Sequence, residues 1–204
     1  MAHRDTTKAF FCPFCRAPVI ATDEARIRQT KERLKYNDPD AYMMMGGHYH
    51  QGWMGVEQNY EKAVEHWKKA VELGSNFAHH SLSVAYLDGT GVEQDDKLSF
   101  HHLRLAAIGG VVEARFELGC RAYNDPKAPI ELVMKHYVLA AEYGHDDALE
   151  RVKAGYKHGC VSKDVFAKAL RAHQAAKDAV KSPQRDAAAR SGFGTACIMN
   201  RNPV

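Results

Sequence analysis

Between residues 39 and 178 the apolar positions recur with two periods at once. The short period is helical: an apolar residue, a small residue beside it and an aromatic three or four positions on fall on one stripe of a 3.6-residue helix. The long period is a repeat. With Ala41, Ala78, Ala114 and Ala148 in register, the separations are 37, 36 and 34 residues. Counted from these alanines, Met45, Leu82, Leu118 and Val152 stand at +4, and Gly46, Ser83 and Gly119 at +5. Tyr49, Tyr86 and Tyr156 stand at +8, where the third copy has Ala122. A glycine turn follows in the first two copies, Gly52-Trp-Met-Gly55-Val56 and Gly89-Thr-Gly91-Val92, and the extra residue explains 37 against 36. Ala70, Ala106 and Ala140 mark the second half of each copy, four residues before Gly74, Gly110 and Gly144. The unit is therefore two helical segments.

The small residue beside the apolar one lets a neighbouring helix approach while the tyrosine fills the flank. The glycine turn ends the first helix, and Asn59 or Asp95 can accept from the free N–H groups that open the second. Asp38 followed by Pro39 offers the same start to the first copy, because proline suits the first helical position. Such a helix pair cannot bury its apolar face alone, so the copies must stack. The fold expected is all-α: a right-handed α-solenoid of antiparallel helix pairs, of the tetratricopeptide-like kind.

The stretches AYMMMGGHYHQGWMGVEQNYEKAVEHWKKAVELG, from Ala41, and AHHSLSVAYLDGTGVEQDDKLSFHHLRLAAIGG, from Ala78, resemble Sel-1-like repeats. That pattern runs alanine, Leu-Gly-x-x-Tyr, Gly-x-Gly-Val, an acidic residue, Lys-Ala and Ala-Ala-x-x-Gly. The third copy departs from it, with Asn124-Asp-Pro-Lys-Ala-Pro129 in place of the glycine turn, and the second has Ser83 at the small position. The resemblance implies a protein-interaction scaffold, including partnership with ubiquitin-ligase machinery.

The division expected is an irregular segment over 1–21, a capping helix over 22–36, and the solenoid over 37–178. Within the solenoid the repeats run about 39–75, 76–111, 112–145 and a capping unit at 146–178; a mostly disordered tail follows over 179–204. In 22–36, Ile27 and Leu34 stand seven apart on a helix able to cover the open end of the first repeat, and a solvated charged helix is the competing reading. In the last helix Val165, Ala169, Ala172 and Ala176 share one stripe, and Pro183 ends it.

Cys12-Pro13-Phe14-Cys15, followed by Arg16-Ala17-Pro18, is open to three readings. A C-x-x-C turn supplies half of a tetrahedral zinc site, and no second ligand pair stands at a suitable spacing. The string resembles the closing cysteine pair of a RING-type zinc finger with the preceding six ligands missing, which implies Cys12 and Cys15 as structural zinc ligands of a ubiquitin-ligase subunit, or a remnant of one. It is also similar to a glutaredoxin active site, although Pro18 falls where the helix would form and no βαβ pattern follows. An inert surface pair is the third reading.

A length of 204 residues suits one domain, or one domain with appendages. No apolar run approaches a membrane span and no secretory leader opens the chain. Five cysteines are too few and odd in number for a disulfide framework, so a reduced, intracellular and cytoplasmic setting is expected, the nucleus remaining open. Residues 1–36 carry a net charge of +4, residues 37–160 of −6 and residues 161–204 of +5. The acidic middle argues against a nucleic-acid-binding body.

Twelve histidines raise the question of a metal or catalytic cluster. His66, His102 and His136 recur at one place in successive second helices, and stacking holds equivalent side chains about 10 Å apart, too far for one ion. His79-His80 and His101-His102 are sequence neighbours whose side chains diverge on a helix, which makes them weak ligand candidates. No H-E-x-x-H, G-x-S-x-G, phosphate-loop or dinucleotide motif is present, so the expectation is a non-enzymatic scaffold with zinc as the one cofactor in question. Partners are then other proteins, bound as peptide or helix segments along a concave groove. By analogy with tetratricopeptide-like repeats the candidate groove residues are Met43, His50, His80, Val84, Leu87, Phe116 and Tyr123. The same positions also suit packing between repeats.

Overall fold

The computed structural model describes residues 22–180. Among them are nine α-helices and no strand. Helix α1 spans Asp23–Leu34, and the pairs α2 and α3 (Pro39–Gln51, Tyr60–Glu72), α4 and α5 (Asn76–Asp88, Asp96–Ile108), and α6 and α7 (Val112–Tyr123, Ile130–Glu142) follow. Helices α8 (Asp146–Lys157) and α9 (Lys163–Val180) close the series. Each helix packs on the next, and α9 also reaches back to α7.

The helix boundaries follow from side chains that accept hydrogen bonds. Asp38 Oδ1 accepts from the amides of Asp40 and Ala41 at the start of α2, where Pro39 is the first helical residue. Asn59 Oδ1 accepts from the Lys62 amide at 2.8 Å, and Asp95 Oδ1 from those of Lys97 and Leu98 at 2.8 and 3.0 Å. Each such cap is worth ~1 kcal/mol. Gly52 and Gly89 end α2 and α4 in the left-handed region at φ +69°, a conformation that glycine adopts without a Cβ penalty.

The core lies between repeats. One buried cluster joins Ala63, Val64, Trp67 and Ala70 of α3 to Ala78, Leu82 and Ala85 of α4. A second joins Leu103, Ala106 and Ala107 of α5 to Val111, Ala114 and Leu118 beside and within α6. The third joins Val133, Tyr137, Ala140 and Ala141 of α7 to Ala148 and Val152 of α8, with Val161 and Ala169. Every cluster takes the second helix of one unit and the first of the next, which is why an isolated helix pair would leave its apolar face in water.

Helix α1 lies on α2, burying Ile27 and Thr30. Arg33 Nε donates to Asp38 Oδ2 at 2.7 Å, tying the end of α1 to the cap of α2. At the other end α9 buries Ala169 and His173, with Phe166, Ala172 and Ala176 half-buried. Val165, expected on the packed stripe, is 41% exposed. Docking against both α7 and α8 shifts the packed face only part of the way, keeping Ala169 buried and adding Phe166 and His173 while Leu170 stays 46% exposed, and Phe166 stacks on Tyr156 at 4.9 Å. His173 fixes that orientation, with Nδ1 3.0 Å from the Ala141 carbonyl and Nε2 3.1 Å from Asp146 Oδ1.

Candidate functional site

Two layers define the candidate surface, and both follow from the repeat. The inner layer is the contact between the two helices of each unit. Gly46 faces Trp67: a Cβ built on it would lie 2.5 Å from Trp67 Cδ1. Gly119 faces Tyr137, where a Cβ would come within 2.7 Å of Cδ1 and Cε1. The second unit has Ser83 and Leu103 at the equivalent places, both buried, so a hydroxymethyl group is tolerated where the opposing side chain is short. Ser83 Oγ donates to the His80 carbonyl at 2.8 Å.

The outer layer is the row of first-helix side chains proposed as a groove. Met43 is half-buried and packs on the α3/α4 core cluster. Phe116 is half-buried between Tyr137, at 5.6 Å, and His145 of the next unit, on which it stacks at 4.3 Å. His80 spans the second and third units, its Nε2 2.9 Å from Glu117 Oε1. His50 lies against the rings of Tyr60 and Trp67 at 5.3 and 5.5 Å. Val84 is half-buried. Leu87 and Tyr123, at the equivalent +9 positions near the ends of α4 and α6, are 44% and 62% exposed. The structure thus places Met43, His80 and Phe116 at the junctions between units and leaves Leu87 and Tyr123 facing solvent. Cys12 and Cys15 lie outside the described residues. Cys120 is half-buried 3.7 Å from the Tyr137 hydroxyl, and Cys160 is exposed.

The recurring histidines of the second helices lie between two first-helix positions of their own unit, +1 and +8. In the first unit Tyr42 and Tyr49 flank His66 at 6.0 and 5.2 Å. In the second, His79 and Tyr86 flank His102. There Nδ1 of His79 and Nδ1 of His102 are 2.9 Å apart, and Tyr86 stacks on His102 at 5.6 Å and 4°. The side chains of His79 and His80 diverge, His79 toward α5 and His80 toward α6, whereas the rings of His101 and His102 meet edge to face at 5.5 Å. The spacing argument missed the pairing of His79 with a histidine on the other helix of its unit. The one signal in the sequence was the shared +1 and second-helix register, Tyr42/His66 against His79/His102.

Burial disfavours the charged form of four imidazoles, His48, His79, His102 and His136. Burial, then the charges His79, His101 and Lys68 would place beside it, pushes His102 down to about 4. Burial, then His101, also lowers His79. Burial is the main cause for His48, with Asp23 opposing, and for His136, where Arg115 and Lys135 add to it. His80 is raised instead, chiefly by its hydrogen bond to Glu117. For the four lowered groups the unfolded chain binds more protons once pH drops below about 6.5, so their contribution to stability is lost on acidification. For His80 the contribution is full below about 6.5 and lost as pH rises through its raised value. With four groups against one, the melting temperature is expected to fall between pH 6.5 and pH 4. His102→Asn flattens that limb, as followed by circular dichroism; a parent curve that is level over this range contradicts the assignment.

Residues 39–75 and 77–111 match the Sel1 repeat family. The chain contains Sel1 repeats. The same helix pairing recurs in the crystal structure of a Sel1 repeat protein from Oxalobacter formigenes, similar at 26% identity and a TM-score of 0.63 over 77% of this chain. It recurs too in a protective antigen present in uropathogenic Escherichia coli strains and displaying an SLR fold, at 24% identity and a TM-score of 0.61 over 83% of this chain. The chain spans 64% and 37% of the length of these two proteins. The expected α-solenoid is thus the observed fold. The two family matches cover the units α2/α3 and α4/α5, while α6/α7 repeats their geometry without the glycine turn. No described helix is long and apolar enough to cross a membrane.

Proposed function

We propose that this Sel1-repeat chain is a protein-interaction scaffold, binding an extended or helical segment of a partner along its first helices. The observation that carries the reading is the exposure of Leu87 and Tyr123 at one register of neighbouring units. Exposed apolar side chains repeated along stacked helices form a linear recognition surface of the kind that anchors peptide side chains. The half-buried His80–Glu117 pair, which bridges the same two helices about two turns earlier, adds a polar contact to that surface.

The test is selection of peptides from a displayed random library on the full chain. Selected peptides are expected to bind Leu87→Glu/Tyr123→Glu at least tenfold more weakly. Leu98→Glu/Leu132→Glu, at exposed positions of the second helices α5 and α7, serves as the control and keeps the parent affinity. Equal affinity for the first double variant and the parent, with both folded by circular dichroism, removes this surface from consideration. The ligase-subunit alternative rests on Cys12-Pro-Phe-Cys15, and it requires near-stoichiometric zinc in the parent that disappears in Cys12→Ser/Cys15→Ser.

A further inference from the structure

The first helices α2, α4 and α6 sort their charges to one side. Positions −1, +3, +6 and +10 from the buried alanines fall on one stripe of each helix, because they are four, three and four residues apart. In all three helices the two ends of that stripe are exposed and its two middle residues are half-buried. Side by side, the stripes make a shallow trough across the stack. Its floor is formed at +6 by Gly47, Val84 and Cys120, and a Cβ on Gly47 would meet nothing within 4 Å. Phe77, 58% exposed, stands at one rim of the α4 stripe and Asp88 at the other.

Every ionised side chain on the three stripes is a carboxylate: Asp40, Asp88, Glu113 and Glu117. Helices α2 and α4 contain no lysine or arginine, and the two arginines of α6 are turned away onto α5. Arg115 donates to the Ala107 carbonyl at 2.7 Å, while Arg121 pairs with Asp96 and lies over the Phe100 ring at 5.2 Å. At the α1 end Arg33 is held by Asp38, and the acidic run stops at α8, which has Arg151 at +3. Asp40, Asp88 and Glu113 enter no ion pair among the described residues. Glu117 is paired with His80 alone, at 2.9 Å. Helix energetics account for only part of this sorting. Asp40 and Glu113 stand in first turns, where the macrodipole favours a carboxylate, but Asp88 is the last residue of α4, where it is disfavoured.

We propose that this face recognises a basic amphipathic segment of a partner protein, its lysine or arginine side chains set against Asp40, Asp88, Glu113 and Glu117 and its apolar side chains on Leu87 and Tyr123. The proposal rests on the scaffold reading above and specifies the chemistry of the partner. Charge complementarity carries it. A neutral or acidic segment lying in the trough would strip water from these carboxylates and leave them without a counter-charge, whereas a basic one replaces that water with ion pairs and is attracted before contact. Leu87 and Asp88 are adjacent at one rim, so an apolar anchor and a charge partner are offered side by side.

The experiment selects peptides from a displayed random library on the full chain and measures their binding by fluorescence anisotropy. Peptides weakened by Leu87→Ser/Tyr123→Ser, which removes the apolar contacts at constant charge, are expected to carry a net positive charge. Their affinity for the parent is expected to fall at least tenfold between about 0.02 and about 0.5 M sodium chloride. Asp40→Asn/Asp88→Asn/Glu113→Gln, all at exposed positions, is expected to weaken them at least tenfold. Glu61→Gln/Glu65→Gln/Glu131→Gln removes as many exposed carboxylates from α3 and α7 and keeps the parent affinity. Peptide composition and salt dependence are read on the parent chain, so they decide the matter even if the triple variant unfolds. Peptides that depend on Leu87 and Tyr123 but are neutral or acidic, or that are indifferent to salt, overturn the charge assignment and leave the scaffold reading standing. Absence of any peptide that depends on Leu87 and Tyr123 overturns both.

Discussion

Gly91→Ala is expected to destabilise the stack by about 2–5 kcal/mol, against about 1–2 kcal/mol for Gly55→Ala. The two glycines hold the same place in the turns of the first two units, each immediately before a valine, and both are left-handed, at φ +71° and +74°. Their surroundings differ. A Cβ on Gly91 would lie 2.9 Å from the Glu61 amide nitrogen and closer still to the carbonyl of Tyr60, the first residue of α3 in the preceding unit. Those atoms are backbone and cannot rotate away, so alanine there must push the second unit off the first. A Cβ on Gly55 would meet nothing within 4 Å, and its cost is the left-handed conformation alone. Urea unfolding of both variants measures the difference. Hydrogen exchange locates it, with protection in Gly91→Ala falling first in α2 and α3, because a stack of units comes apart at its weakened interface. Equal losses in the two variants would mean that the contact with Tyr60 relaxes without cost.

The repeat was legible because a solenoid writes its contacts into the chain at a fixed period. Ala41, Ala78, Ala114 and Ala148 recur because each lies at a helix crossing with no room for more than a methyl group, and all four are completely buried. Asp38, Asn59 and Asp95 were readable as caps because an N-terminal amide row needs an acceptor at one defined offset. The candidate groove was less legible. Positions 43, 80 and 116 share a register with an inner surface and with the seam between units, and an apolar residue suits either; only the packing of Met43 on the α3/α4 core cluster and of Phe116 on His145 tells them apart. The His79–His102 contact depends on how the antiparallel helices slide past one another. That slide is set by the length of the glycine turn and not by any spacing within a helix. The exposure of Val165 in α9 was hidden for a related reason: the last helix has two neighbours, α7 and α8, and a single stripe cannot describe both.

The pairing of Gly46 with Trp67, Ser83 with Leu103 and Gly119 with Tyr137 leads to the second large effect. In the interior of a helix Gly→Ala ordinarily stabilises by ~1 kcal/mol. In α6 the sign is expected to reverse. The added Cβ of Gly119→Ala would lie 2.7 Å from two ring carbons of Tyr137, which is 1% exposed and packed among Val133, Ala140 and Val152. It would also lie 3.3 Å from His136 Cβ, so neither the ring nor the helix can yield, and overpacking of this kind costs about 1–3 kcal/mol. Tyr137→Leu alone opens a cavity and loses the O–H contact to Cys120, a large-to-small loss of about 2–4 kcal/mol. In that background Gly119→Ala is expected to become neutral or stabilising, because the second unit already combines a larger small residue, Ser83, with leucine. A double-mutant cycle by urea unfolding should therefore return a coupling of at least ~1 kcal/mol. Strict additivity of the two substitutions would show that Gly119 is required for something other than the approach of Tyr137, and would dissociate the glycine of the repeat from the size of the residue it faces.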